Sequence, residues 1–291
     1  MKSRAYKDTR AAILMLLPFM LFFTTFTLYP LVVNLYYSLT NFRLGIGTVN
    51  FVGLNNYTRM LRDEAFLISL RNTVVYAFFC VIILTVGGLL ISVALNQAAK
   101  TAKALRVTML IPYATSLAAA ALIWMLLLDP TVGFVNKALI QIGVSNPPSW
   151  LFSPNWALPS LMGINIWKNL GYVMLIFLAG LQGVPIEQYE SATIDGANGI
   201  KKFFYITLPS IAPITAFVVA ANTIEAFKTF ELVQIMTKGG PMLHTSTIVY
   251  QIYIRAFEDF QMGYAAALST VLLLILLALS IFQLKRIVYR P

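Results

Sequence analysis

The sequence predicts an all-α integral membrane protein with six transmembrane helices and both termini in the cytoplasm. The chain of 291 residues is 59% hydrophobic and only 11% charged, with a mean hydropathy of +0.77. Soluble domains, by contrast, carry about 25% charged residues. Apolar stretches of about 20 residues, the length at which a helix crosses about 30 Å of hydrocarbon, recur along the chain. The basic residues cluster in alternate connections between these stretches.

Six stretches are long and apolar enough to be membrane spans. They cover residues 11–40, 72–97, 107–128, 158–184, 203–228 and 260–284. The first is too long for the apolar region of a signal peptide and no small-residue cleavage site follows it, so we expect a retained helix. Residues 1–10 then form a cytoplasmic tail, and residues 11–291 form a single transmembrane domain.

The distribution of Lys and Arg gives the orientation of the chain. Of the 21 basic residues, twelve fall in the two termini and in the short connections after the second and fourth spans. Eight more are spread over the longer opposite connections, and Lys168 lies inside the fourth span. Because cytoplasmic loops are enriched in Lys and Arg, both termini are predicted to be cytoplasmic. Most of the net charge of +10 therefore reflects the orientation of the chain in the membrane, and we expect no nucleic-acid partner.

The sequence offers little material for catalysis or for a metal site. A single cysteine, Cys80, excludes an internal disulfide, and a single histidine, His244, argues against a metal site built on histidine. No phosphate-binding motif of the form G-x-x-x-x-G-K-[ST] occurs. We therefore expect no catalytic residue, no metal and no cofactor bound by this chain.

The connection after the fourth span, residues 185–200, is longer than a turn between two helices requires. Pro185 suits the first position of a helix, and Glu187 suits the positive end of its dipole. Gly196 and Gly199 allow backbone conformations that a Cβ penalises, so the helix can stop and the chain can turn. These features predict a short helix across the cytoplasmic membrane face, fixed between two spans and able to transmit force from a partner. The alternative is an ordinary surface loop.

The same connection resembles the EAA loop of the permease subunits of ABC importers. That pattern is Glu-Ala-Ala, two residues, Asp-Gly-Ala, a spacer of eight or nine residues, and Ile-x-Leu-Pro. This chain has Glu190-Ser191-Ala192, Asp195-Gly196-Ala197 and, after eight residues, Ile206-Thr207-Leu208-Pro209. The one departure is Ser191. Residues 51–57, 110–113, 237–241 and 262–269 resemble the carbohydrate-uptake permeases of the maltose and glycerol-3-phosphate type.

The resemblance implies that this loop forms a coupling helix between spans 4 and 5 and sits in a cleft of a separate ATPase subunit. Glu190 is expected to pair with a basic residue there, and Gly196 to permit a sharp turn. The full set of residues that the resemblance assigns to ATPase coupling is Glu190, Ala192, Asp195, Gly196, Ala197, Leu208 and Pro209.

The resemblance also implies the partners and the location. Two ABC ATPase subunits would bind ATP-Mg, and a second, homologous permease subunit would complete a heterodimer. An extracytoplasmic substrate-binding protein would deliver a sugar or sugar-like solute. The complex would lie among lipids in the cytoplasmic membrane of a bacterium or an archaeon.

Polar residues inside the spans are candidates for the translocation pathway, because a charge at the centre of a membrane helix costs about 2.5–3.5 kcal/mol. In the fourth span they form a stripe of Asn165, Lys168, Asn169 and Tyr172. In the fifth span the candidates are Asn222, Glu225, Phe227 and Lys228. The alternative is that Lys168 pairs with Glu225, or with the second subunit, simply to neutralise buried charge.

Two other classes of function compete with this interpretation. A self-contained, ion-coupled secondary transporter could use Lys168 and Glu225 as its ion-coupled pair, but it leaves residues 190–209 unexplained. A membrane-embedded enzyme would need clustered acidic, His or Ser groups, and the eleven Asp and Glu are scattered. The substrate stays open among an oligosaccharide, a sugar derivative and a glycerol phosphate.

Overall fold

The computed structural model describes residues 2–45, 47–97 and 102–288, and this part of the chain is almost entirely helical. Its helices up to the middle of the chain are α1 (Lys2–Phe23), α2 (Tyr29–Ser38), α3 (Asn55–Met60), α4 (Glu64–Gln97), α5 (Ala102–Ala114), α6 (Leu117–Leu127) and α7 (Phe134–Gln141). The later helices are α8 (Ala157–Gln182), α9 (Ile186–Ile194), α10 (Gly199–Lys202), α11 (Leu208–Ser210), α12 (Ala212–Phe227), α13 (Ile248–Tyr253) and α14 (Met262–Val288).

Four five-residue π-helical segments lie between these helices, at Thr24–Leu28, Phe203–Thr207, Val233–Thr237 and Ile254–Glu258. An isolated antiparallel bridge joins Thr40 to Phe51. Two of the basic residues that orient the chain, Lys100 and Arg290, lie outside the described residues. So do the side chains of the predicted tail, residues 1–10.

Four helical segments of the described chain are long and apolar enough to cross a membrane without a break: Ile13–Ser38, Glu64–Asn96, Ala157–Gln182 and Met262–Gln283. Two further pairs of helices qualify only together, Lys103–Ala114 with Leu117–Leu127 and Gly199–Ser210 with Ala212–Phe227. The described chain thus has four to six candidate spans, and the predicted six requires each bent pair to be one span. The second candidate span begins at Glu64, before the predicted boundary at residue 72. That boundary followed from the charge of Arg71, whereas the helix itself starts at Glu64, because an acidic residue suits a helix N-terminus.

The two bent pairs turn beside prolines. The third predicted span bends by 96°, after Pro112 in α5, and Ser116 between the halves is extended (φ −61°, ψ 136°). The fifth bends by 66° around Ile211, between Pro209 and Pro213. Proline removes a backbone donor and disfavours the helical region for the preceding residue. Both bends therefore lie beside prolines that weaken the helical backbone there.

Backbone contacts divide the chain into two compact units. Unit 1 comprises residues 1–63 and 252–273. Within it, the chain that follows α2 is joined to the start of α14, because Gly263 donates its N–H to the Phe42 carbonyl over 2.8 Å. A Cβ at Gly263 would overlap the carbonyl oxygen of Thr40, so only glycine allows this approach.

Unit 2 comprises residues 64–251 and 274–291, and its main core lies between α4, α8 and α12. Buried Leu84, Phe177 and Val218, one from each helix, belong to this core. On α8, a Cβ at Gly171 would overlap the carbonyl of Met109, so α8 and α5 touch backbone to backbone. Small residues permit such close contacts between membrane helices.

Candidate functional site

Helix α9 and the turn after it form the segment predicted to couple this chain to a partner. None of the nine residues of α9 is buried. Its apolar side chains Ile186 and Ile194 are 66% and 87% exposed. Within the described residues, the exposed Glu190 makes no ion pair and no side-chain hydrogen bond. The helix therefore presents an acidic group and apolar groups that have no partner inside the described chain.

The C-terminal turn of α9 is built around Gly196. Asp195 is the C-cap, and Gly196 has a left-handed φ of +74°. The N–H of Gly196 donates to the carbonyl of Thr193 over 3.1 Å, and the N–H of Ala197 donates to that of Ala192 over 2.8 Å. These two bonds form a Schellman motif, which satisfies the last carbonyls of a helix and reverses the chain. The predicted turn at Gly196 is present, and Pro185 is the N-cap rather than the first helical residue.

Helix α9 is joined to the start of the next bent span by two side-chain hydrogen bonds. The hydroxyls of Tyr189 and Thr207 are 3.0 Å apart and form a hydrogen bond in which either can be the donor. Lys202 donates from Nζ to Oγ1 of Thr193 over 2.7 Å. The side chain of Asn198 accepts from the N–H of Lys201 over 2.9 Å and so caps α10. A displacement of α9 is thereby linked to the chain that leads into α12.

The structure separates the seven predicted coupling residues into two groups. Five of them, Glu190 to Ala197, belong to α9 and its terminal turn. Leu208 and Pro209 instead start α11, where Leu208 packs against the main core of unit 2. Leu208 thus packs against the core, whereas Pro209 is exposed, as are Glu190, Asp195 and Gly196.

An exposed apolar surface beside α9 was missed in the sequence. Beyond the exposed Ile194 in the sequence, the side chains of Ile200, Phe204 and Tyr205 are 70%, 57% and 80% exposed. The sequence showed this for Ile200, which lies in the connection placed outside the hydrocarbon, whereas Phe204 and Tyr205 fall inside the predicted fifth span. Large apolar groups exposed together mark interaction surfaces.

Lys168, on α8, lies at the break between α5 and α6. The residue is only 9% exposed. Its Nζ donates hydrogen bonds to the carbonyls of Pro112 and Tyr113 at 3.2 Å each and to that of Thr115 at 2.6 Å. An ammonium group has three protons, so these three acceptors use all of them. The rings of Tyr113 and Tyr172 are stacked beside it, with centroids 4.5 Å apart.

Only some polar groups of the predicted stripe on α8 are engaged in hydrogen bonds within the described residues. Asn169 donates from Nδ2 to the backbone carbonyl of Asn165 at 2.9 Å and to its Oδ1 at 3.0 Å. Tyr172 is 38% exposed, and the neighbouring Trp167 is 40% exposed. Asn165, Lys168, Asn169 and Tyr172 are thus brought together on one helix beside the broken third span.

The candidates on α12 are arranged differently. Glu225 pairs with Lys228 at 3.4 Å, and both side chains are largely exposed. Lys168 makes its contacts with backbone carbonyls, so within the described residues the alternative ion pair of Lys168 with Glu225 is not formed. Phe227 is only 6% exposed, so its ring packs in the interior here and is not available to a solute. Nδ2 of Asn222 is buried and has no hydrogen-bond partner among the described residues.

Comparisons with known proteins match most of this chain. Residues 85–290 match the family described as "Binding-protein-dependent transport system inner membrane component". The sn-glycerol-3-phosphate transport system permease protein UgpA of Agrobacterium fabrum is 35% identical over 237 residues, which cover 81% of this chain and 80% of the relative. A probable ABC transporter permease protein of Pyrococcus horikoshii is 31% identical and covers 94% of both chains.

Solved structures share the fold. A chain of a bacterial alginate ABC transporter, in complex with an alginate pentasaccharide-bound periplasmic protein, aligns with a TM-score of 0.85. It is 22% identical and covers 96% of this chain and 94% of that one. A second structure, of a bacterial ABC transporter involved in the import of the acidic polysaccharide alginate, also has a TM-score of 0.85, at 23% identity.

Proposed function

The chain belongs to the family of binding-protein-dependent transport system inner membrane components, and we propose that it forms half of the translocation pathway of an ATP-driven importer. Its cargo is a sugar or a sugar-like solute, among them oligosaccharides, sugar derivatives and glycerol phosphate. The names of the relatives support this class, since one is a permease protein of an sn-glycerol-3-phosphate transport system, and a structure of the same fold is an ABC transporter involved in the import of alginate. The subunit itself is not an enzyme.

Helix α9 is the element that couples the chain to its motor. The observation that carries this proposal is a nine-residue helix with no buried residue. The helix nevertheless ends in a defined turn at Gly196, which has a left-handed φ, and Tyr189 hydrogen-bonds to Thr207. A helix so exposed gains little from packing within its own chain, and short isolated helices are marginal in water. Docking in the cleft of an ATPase subunit would supply the missing contacts, with Glu190 paired to a basic residue.

Movement of the ATPase subunit would reach the membrane through the hydrogen bonds of α9. Because Tyr189 bonds to Thr207 and Lys202 bonds to Thr193, a shift of α9 pulls on the segment that leads into the bent fifth span. Leu208 holds that segment against the core of unit 2. The bend at Ile211 is the position where such a pull would change the angle between the two halves.

The full assembly contains further subunits. It comprises a second, homologous permease in a heterodimer, two ABC ATPase subunits that bind ATP-Mg, and an extracytoplasmic substrate-binding protein. With six spans and cytoplasmic termini, α9 lies on the cytoplasmic side, as this assembly requires. The complex lies in the cytoplasmic membrane of a bacterium or an archaeon, and this chain binds no cofactor.

The solute passes along the polar stripe of α8. Asn165, Asn169 and Tyr172 offer amide and aromatic groups that suit sugar hydroxyls and sugar faces. Lys168 lies in the same stripe, and its bonds to the broken third span keep the neighbouring Tyr113 stacked on Tyr172. Lys168 therefore acts as a positioning residue of the pathway, while Asn222, Glu225 and Lys228 of α12 supply further polar groups.

An uptake assay in proteoliposomes tests the proposed function. The reconstituted complex is expected to import the solute only when ATP is inside and the loaded binding protein is outside. A proton ionophore should leave the rate unchanged. Uptake that persists without ATP and collapses with the ionophore would instead establish the ion-coupled secondary transporter.

A further inference from the structure

Unit 1 contains an open pocket of about 730 Å³ between its two sequence segments, residues 1–63 and 252–273. The pocket lies where the first span has ended at Ser38 and the last span begins at Met262. The predicted topology puts this junction on the extracytoplasmic side. Its lining includes four arginines, Arg43, Arg59, Arg62 and Arg255, against one carboxylate, Asp63.

The single carboxylate of the lining is already engaged. Arg255 donates from Nη2 to Oδ2 of Asp63 over 3.0 Å and from Nη1 to Oδ2 of Asp259 over 2.9 Å. The hydroxyl of Tyr264 donates to the same oxygen of Asp63 over 2.8 Å. The charge of Asp63 is therefore paired with Arg255, and one carboxylate cannot balance the four arginines of the lining.

Arg59 is held in a fixed orientation in the same pocket. Its Nη1 donates to Oε1 of Gln261 over 2.8 Å, and its guanidinium lies 4.3 Å from the centroid of the Tyr264 ring. Stacking on an aromatic ring fixes the plane of a guanidinium and leaves its remaining donors available. In the part of the chain that the structure describes, the side chains of Arg43 and Arg62 make no ion pair and no hydrogen bond.

We infer that this pocket binds an oxyanion, the phosphate or carboxylate group of a small molecule. Like charges brought together in one cavity repel one another, and a bound anion removes that cost. The planar fork of arginine matches the oxygens of phosphate and carboxylate groups with paired hydrogen bonds. The volume lies within the range of about 300–1,000 Å³ that is typical of small-molecule sites.

The oxyanion has two possible sources with the same chemistry. A soluble solute can bring a phosphate or a carboxylate, as an acidic sugar does. A phospholipid can bring the phosphate of its headgroup, since the pocket adjoins the start of a span and Leu54 and Leu61 nearby are 67% and 72% exposed. The site is the same in both cases, so the experiment needs one arm for each source.

Binding is measured on the purified importer complex in nanodiscs, without ATP. The soluble probes are inorganic phosphate and glucuronate, with glucose as the neutral comparison, in phosphatidylcholine nanodiscs. The test variant is Arg43→Gln combined with Arg62→Gln. Neither side chain makes an ion pair or a hydrogen bond among the described residues, so folding should not depend on either charge. The matched control is Lys137→Gln, an exposed cation that is predicted to lie on the same side and does not line the pocket.

Phosphate and glucuronate are expected to bind the wild-type complex and the Lys137→Gln control, and glucose is not. The double variant should bind them at least about tenfold more weakly, because hydrogen bonds to charged groups are lost. Higher ionic strength should weaken binding as well. Equal binding of glucose and the anions, or wild-type binding by the double variant, overturns the proposal.

The second arm replaces part of the phosphatidylcholine by anionic phosphatidylglycerol. If the headgroup occupies the pocket, phosphatidylglycerol weakens the binding of phosphate to the wild-type complex. The double variant then also retains less phosphatidylglycerol than the Lys137→Gln control does. If phosphate binding is unchanged, the oxyanion comes from a soluble molecule. Neither arm requires transport, so a complex that imports nothing can still pass this test, and the two proposals fail separately.

Discussion

The ammonium group of Lys168 donates a hydrogen bond of 2.6 Å to the carbonyl oxygen of Thr115, inside the 96° break between α5 and α6. A broken helix leaves carbonyls without their helical donors, and in a membrane these must be satisfied inside the protein. Lys168 supplies that donor from a different helix. A charge that looked like part of a solute pathway is thus also the group that makes a sharp bend tolerable.

Lys168→Met is therefore expected to destabilise the complex. The substitution removes the donor from the carbonyls of Tyr113 and Thr115, while the carbonyl of Pro112 keeps its bonds from the N–H and hydroxyl of Thr115. An acceptor left unpaired costs about 1–3 kcal/mol. The thermal unfolding midpoint of the purified complex should fall well below that of Lys228→Met. That control removes only an exposed ion pair, whose contribution is about 0–1 kcal/mol. Equal midpoints for the two variants would show that Lys168 does not support the break.

Gly171→Ala is expected to prevent close packing of α8 against α5. A Cβ there would overlap the backbone carbonyl of Met109, which no side-chain rotation can relieve. Gly163→Ala, on the same helix, has open space around its Cβ, and the gain in helix propensity of about 1 kcal/mol makes it neutral or stabilising. Yield and unfolding midpoint of the assembled complex distinguish them. A Gly171→Ala complex as stable as Gly163→Ala would contradict the contact.

Tyr189→Phe is expected to loosen α9 without unfolding the protein. It removes the hydrogen bond to Thr207, whose net contribution of about 0.5–1.5 kcal/mol corresponds to as much as about tenfold in the local opening equilibrium. Hydrogen exchange of the amides of residues 186–194 should become faster. Tyr205→Phe is the control, because that side chain is 80% exposed and has no such partner among the described residues. Equal exchange rates in the two variants would show that the hydrogen bond between Tyr189 and Thr207 does not hold α9.

The helix and turn proposed for coupling were predictable because their signals are local. Pro185, Glu187 and Gly196 lie within one short stretch, and each acts on the backbone of its own neighbourhood. The predicted helix and its turn therefore match the structure closely, apart from the one-residue position of Pro185.

The environment of Lys168 was not predictable in the same way. Its acceptors lie more than fifty positions earlier in the chain, and nothing in the apolar run of residues 107–128 marks a break except Pro112. Prolines are tolerated in membrane helices, so Pro112 alone does not predict a bend. The contacts of unit 1 were equally unpredictable, because Arg59 and Gln261 are far apart in the sequence and come into contact only in the folded chain.

Stimulation of ATP hydrolysis by the loaded binding protein tests the coupling role of α9 most directly. Reconstituted complexes carrying Gly196→Val, Gly196→Asn and Gly199→Ala are compared with wild type. At a φ of +74° a β-branched residue is strained by about 1–3 kcal/mol, whereas asparagine tolerates that region. Gly199 has no positive φ and open space around its Cβ.

The expected result is that Gly196→Val assembles but loses most of the stimulation and most of the solute import. Gly196→Asn should retain a large part of both, and Gly199→Ala should behave as wild type. A Gly196→Val complex that hydrolyses ATP and imports solute at wild-type rates in response to the binding protein would contradict the coupling role of α9.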